Sequence, residues 1–187
     1  MSLPAPAPRQ RIHHRRIDAE GYLREDGLWD IKARITDVKD YAFDNAWRGT
    51  LHPGDPIHDM QLRLTLDDQL TVVAVEAVTN ASPFQICGDV APNFQRLIGV
   101  SIGKGWRQAI KARLGGVEGC THLVELLGPL GTTAFQTIFP YRDRLGKPRE
   151  GSPDKKPRIL DTCHALRSDG PVVQQHFPAF YTGAEAP

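Results

Sequence analysis

The chain has 187 residues, with 23 Lys+Arg against 22 Asp+Glu for a formal net charge of +1, and 40% of its residues are hydrophobic. That length holds one domain, or one domain with a tail, and the near-balanced charge argues against the basic field of a non-specific nucleic-acid binder. No apolar run approaches the roughly 20 residues of a membrane span, and the start has no signal-peptide core. Cys87, Cys120 and Cys163 cannot all pair within one chain and form no C-x-x-C, so they are expected as reduced thiols in a cytoplasmic protein without nucleic-acid or membrane partners.

In chain order, residues 1–8 alternate proline with small residues and are expected to be a disordered, extended arm. A single domain is expected over 9–181. Between Arg9 and Arg24 lies a strand pair, broken near Ala19-Glu20-Gly21. From Leu28 to Asp37 the odd positions Trp29, Ile31, Ala33 and Ile35 are apolar and the even ones polar, the period-two signature of a half-buried strand. A hairpin follows at Ile57 to Thr79, with Met60, Leu62, Leu64 and Leu66 on one face and Asp67-Asp68 as a two-residue turn. Pro92 opens a short helix carrying Phe94, Leu97 and Ile98, stopped by Gly103. Trp106, Ile110 and Leu114 mark a second helix closed by Gly115-Gly116. Cys120, Leu123, Val124 and Leu127 start a third, which Gly128-Pro129 must kink or break before Leu130 to Ile138. Residues 142–158 read as an exposed loop, Ile159 to Tyr181 as a segment docking back, and 182–187 as a flexible tail. Strands followed by helices predict an α+β domain, an antiparallel sheet with helices packed on one face.

The hairpin register decides which ionisable groups meet. A two-residue turn places Asp59 opposite Glu76, with Arg63 on the same face, and paired carboxylates make an acid/base couple. A three-residue turn puts Glu76 beside Met60 on the apolar face instead. The ordinary alternative is a set of solvated carboxylates paired with Arg63 or Arg34. His58 is in phase with Met60 and Leu62, so its ring points to the apolar face, either as a core histidine or as a general base beside Asp59. In the glycine-rich run from Gly115 into the third helix, Cys120 falls on the apolar stripe and reads as structural, while His122 and Glu125 are three apart and share a side. Of His13-His14-Arg15-Arg16, every second residue points inward if the segment is a strand, and a polar edge strand is the ordinary reading. Lys104, Arg107 and Lys111 line one side of the second helix, as an anion site or a solvated face. No phosphate loop and no zinc-type spacing occurs; adjacent Cys163 and His164 are awkward as joint ligands.

Taken together, Ile12-His13-His14-Arg15, Asp26-Gly27-Leu28-Trp29-Asp30, Pro56-Ile57-His58-Asp59-Met60, Gly105-Trp106, Gly119-Cys120-Thr121-His122-Leu123 and Cys163-His164-Ala165 resemble the bacterial domain-of-unknown-function family DUF2889, from about Arg11 to Phe177. The resemblance implies a link to aromatic-compound degradation. It assigns no activity and no residue role.

The expectation is therefore a small cofactor-independent enzyme acting on an aromatic or phenolic metabolite, most simply a carbon–carbon lyase of retro-aldol type (loss of formaldehyde, for instance), or a hydrolase. His58, Asp59, His122, Glu76 and His14 are the candidate catalytic residues, and Arg15, Trp29 and Arg63 the candidate substrate-binding residues. His58 oriented by Asp59 would be the base, and His14, Arg15 or Arg63 would stabilise the oxyanion. Two alternatives stand beside it. One is a metal-dependent hydrolase or metal-binding module holding zinc or another divalent ion through His58, His122 and Cys120. The other is a non-catalytic binding or assembly protein. A homodimer is the base-rate expectation.

Overall fold

A computed structural model describes residues 3–147, 156–157 and 159–183. The chain divides into two compact units, Met1–Lys147 and Pro148–Pro187, where the sequence reading takes 9–181 as one domain. Residues 3–8 are exposed and carry neither helix nor strand, while most of the 182–187 tail lies outside the described residues.

The first unit is α+β. Strands β1 (His13–Leu23), β2 (Trp29–Lys39), β5 (Pro56–Leu66) and β6 (Val72–Ala81) form an antiparallel sheet in the order β1-β2-β5-β6; β3 (Phe43–Asn45) and β4 (Gly49–Leu51) make a small separate hairpin. Period-two alternation sends Trp29, Ile31, Ala33 and Ile35 of β2 and Met60, Leu62, Leu64 and Leu66 of β5 to one face, all of them buried. Against that face packs α2 (Thr121–Arg144), through Leu123, Leu126, Leu127, Leu130, Ala134 and Ile138. Phe94 and Leu97, from the 3-10 segment Gln85–Leu97, and Trp106 and Leu114, from α1 (Trp106–Leu114), complete the core. Fully burying one such side chain contributes about 1.5–3 kcal/mol.

Four details differ from the sequence expectation. β1 is one unbroken strand: Gly21 is not a breaker but a close-approach site, since a Cβ there would lie 2.0 Å from Thr137 Oγ1 of α2. The hairpin turn spans residues 67–71, because the Asp67 carboxylate accepts the Gln69 and Thr71 N–H groups at 2.8 Å and Leu70 takes φ 62°. Leu66 consequently faces Val72, Arg63 faces Glu76 and Asp59 faces Ala81, so the Asp59–Glu76 pair does not form. The first helical segment is 3-10 and ends at Leu97, leaving Ile98 exposed. Finally, α2 runs unbroken through Pro129 and Pro140 to Arg144. Each proline removes a donor to the carbonyl four residues back, but packing of the apolar face holds the helix together. The expected loop at 142–158 therefore begins as helix, and much of its remainder lies outside the described residues.

The second unit contains the 3-10 turn His164–Leu166, α3 (Pro171–His176) and a 3-10 turn at Pro178–Phe180. Asp161 ties it together, accepting the Ser168 N–H at 2.7 Å and its hydroxyl at 2.8 Å beside Lys156, partners that hold its carboxyl at about 2. Among the described residues no helix is long and apolar enough to cross a membrane.

Candidate functional site

One rung of the sheet carries the chemistry. The β1–β2 register puts Arg15 opposite Asp37, and the β2–β5 register puts Asp37 opposite His58, so three polar side chains line up across three strands on the apolar face. A register shift in the β2–β5 ladder between Asp37 and Val38 closes this end of the sheet. Over the rung sits the first turn of α2, entered through Cys120 and bringing His122 and Glu125.

Asp37 is the hub, with its side chain 1% exposed. Its Oδ1 accepts His13 Nε2 at 2.9 Å and Arg15 Nε at 2.8 Å; its Oδ2 accepts Arg15 Nη2 at 2.9 Å and His58 Nδ1 at 3.0 Å. Burial alone would raise the Asp37 carboxyl, but the Arg15 and His13 hydrogen bonds and the Arg15 and His58 charges outweigh it and bring the carboxyl down to about 2. Asp37 is therefore an anion at any ordinary pH and can only accept. It follows that His58 donates from Nδ1, which leaves Nε2 of the neutral ring as a proton acceptor.

The His58 and His122 rings are stacked, centroids 3.6 Å apart and planes 28° from parallel. Burial lowers the His58 pKa, helped by the His122 charge and opposed by Asp37; burial and the Arg15 charge lower that of His122. Both rings are thus neutral near pH 7. His122 Nε2 lies 3.8 Å from Asp37 Oδ2, while its Nδ1 faces Cys120 Sγ at 4.0 Å. Arg15 reaches across with Nη1 to Glu125 Oε2 at 2.6 Å, clamping the start of α2 to the rung.

Of the residues singled out from sequence, His58, His122, Arg15 and Cys120 meet here. Asp59 does not orient His58: neighbours on a strand point to opposite faces, and Asp59 instead takes Arg34 bidentately at 2.7 and 2.8 Å on the outer face. Glu76 and Arg63 pair with each other on that outer face, and His14 lies exposed there as well. Trp29 is core, its N–H donating to Asp68 Oδ1 at 2.9 Å, and it starts β2 some eight residues, about 26 Å, from Asp37. The sequence reading missed Asp37 and His13. Asp37 continues the odd-numbered stripe of Trp29 to Ile35, a carboxylate in phase with a core face, and His13 shares the phase of Arg15.

Asp37, His58 and His122 offer ligand atoms within 4.8 Å of one another, a geometry that admits a metal ion. The donor set fits poorly. The four accepting positions of the Asp37 carboxylate already hold donors, and Cys120, 4.0 Å from the other nitrogen of His122, is not one of the converging side chains.

Residues 13–136 match the family described as Protein of unknown function (DUF2889). The chain belongs to this family. The DUF2889 span runs from the start of β1 into α2 and so contains every residue of the cluster, from His13 to Glu125, whereas Cys163 and His164 lie beyond it. No curated protein and no solved structure matches the chain.

Proposed function

We propose that the DUF2889 domain is a small acid–base enzyme in which His58 is the general base, Asp37 orients it and His122 is the proton-transfer partner. The observation that carries this reading is the buried Asp37 carboxylate holding His58 by Nδ1, which leaves Nε2 basic and pointing away. A nucleophile or base oriented by a second, buried group is the general signature of such sites. His122 is positioned to share the proton, because two stacked imidazoliums repel and only one ring can be charged at a time.

The reaction class we propose is retro-aldol carbon–carbon cleavage of a phenolic or aromatic metabolite. His58 Nε2 takes the proton of a substrate hydroxyl; the O–H electron pair becomes the new C=O, and the adjacent C–C bond breaks. Its electron pair passes into the carbonyl of an aryl ketone on the adjacent carbon as an enolate, which then takes back a proton at that carbon. An aldehyde such as formaldehyde leaves, and the step balances without an electron acceptor. His14 and Arg63 have no part in it, and Arg15 is engaged by Asp37 and Glu125, so Arg15 positions rather than binds.

The test is aldehyde release from a panel of β-hydroxy aryl ketones, phenolic ones included, by wild-type, His58→Ala and Asp59→Asn proteins. Turnover lost in His58→Ala and kept in Asp59→Asn supports the reading; turnover kept in His58→Ala overturns it. A metal-dependent hydrolase is the second reading, since the ligand atoms of Asp37, His58 and His122 lie within 4.8 Å of one another, although an ion would have to displace a donor from the Asp37 carboxylate. A stoichiometric divalent ion in purified protein, lost together with activity on chelation, would put that reading first.

A further inference from the structure

The hydrogen bond from Arg15 to Glu125 connects the histidine cluster to a second feature. Glu125 lies on the rim of a groove of about 390 Å³ between α1 and α2, walled by Ile102, Trp106, Ile110, Val124 and Phe135. The groove exists because α2 carries glycine where it faces α1. At Gly131 a Cβ would come 3.2 Å from Trp106 Nε1, so a larger residue would push the helices apart; at Gly128 a Cβ would meet nothing within 4 Å. Glycine inside an exposed helix turn is unfavourable relative to alanine, and at Gly128 it leaves an open floor rather than relieving a clash. The Trp106 N–H is satisfied by the Leu127 carbonyl at 3.1 Å, which fixes the indole as a wall of the groove. The rim has one uncommitted charge. Arg107 of α1 forms no ion pair among the described residues, whereas Glu125 is committed to Arg15.

We propose that this groove seats a small planar aromatic carboxylate, its ring over Gly128 between Trp106 and Phe135 and its carboxylate on Arg107. The size suits a small ligand, being near the lower end of the range for small-molecule sites. Two flat walls, Trp106 and Phe135, over a glycine floor favour a ring, and a lone guanidinium favours a carboxylate, which it can hold bidentately. The other end of such a ligand points to Glu125 and hence toward Arg15, Asp37 and His58. The inference rests on the acid–base reading for the fate of the ligand, and not for its binding.

Calorimetric titration of the full chain with benzoate, benzamide and cyclohexanecarboxylate tests it without any turnover. Wild-type protein should bind benzoate at least about tenfold tighter than benzamide and tighter than cyclohexanecarboxylate, and Arg107→Gln should erase the preference over benzamide. Gly128→Leu fills the floor and should weaken benzoate about tenfold or more while its melting temperature holds or rises, because that position has open space. Benzoate binding unchanged in Gly128→Leu, or equal to benzamide in wild type, overturns the proposal. So does a concentration-dependent dimer that Gly128→Leu abolishes, since the groove would then seat a second copy of the chain. If benzoate binds as expected but His58→Ala still turns over substrate, the groove stands and the acid–base reading falls.

Discussion

The two faces of the sheet use the same residue types to opposite ends. On the outer face Arg34 holds Asp59 and Arg63 holds Glu76; on the inner face Arg15 holds Asp37. The Glu76 side chain is 62% exposed and the Asp37 side chain 1%. In water an ion pair contributes little and either partner can be lost, because hydration replaces it. Under the first turn of α2 hydration is not available, so Asp37 must be fully served by protein donors, and serving it fixes the tautomer of His58. Burial turns an ordinary cross-strand pair into an oriented base.

The two faces differ most at Asp37. Replacing it with Ala should cost about 2–3 kcal/mol, since His58 loses its acceptor under α2 while the partly exposed Arg15 and His13 lose theirs at its edge. Urea denaturation measures this directly, and a cost near that of Glu76→Ala would mean that the two faces are energetically alike. Next in size is His58→Ala, which should slow turnover about 10²–10⁴-fold, read from initial rates of aldehyde release.

The pH dependence of stability sharpens the contrast. His58 and His122 have folded pKa values below the ordinary 6.5, so the unfolded chain takes up protons first, and their contribution is present above 6.5 and declines as pH falls through the folded values. The Asp37 contribution is present above 3.8 and declines as its carboxyl is protonated toward about 2. Urea midpoints should therefore drop between pH 7.5 and 5 and again below 4; a flat profile from 7.5 to 5 contradicts the assignment of two buried neutral rings. The smallest effect belongs to the outer face. Arg63→Ala and Glu76→Ala should each change stability by no more than about 1 kcal/mol and leave turnover unchanged in the same assays.

Most of this architecture was legible in local sequence patterns. Strict alternation placed β2 and β5 and their inner faces, and it put His58 on the apolar side, because a strand side chain has only two directions to choose from. The spacing of Trp106, Ile110 and Leu114 gave α1. What escaped depends on contacts between distant segments. The carboxylate cap of Asp67 lengthened the hairpin turn and moved Glu76 from Asp59 to Arg63. Gly21 looked like a breaker because the approach of Thr137, more than a hundred residues away, is invisible along the chain. Asp37 was the most readable of the omissions: an acid in the next odd position after Ile35 belongs to the core face by phase alone, and a core-face acid requires donors. The choice of His13 over His14 follows from the same parity once Arg15, opposite Asp37, is known to face inward.

Asp37 fixes His58 as an Nδ1-protonated, Nε2-basic ring. Nitrogen-15 NMR of the histidine side chains measures this directly. At pH 7 His58 should be neutral with its proton on Nδ1, it should titrate below 6.5, and Asp37→Asn should lower its pKa further by removing the stabilising anion. A neutral His58 carrying its proton on Nε2, or one that titrates above 6.5, would contradict it.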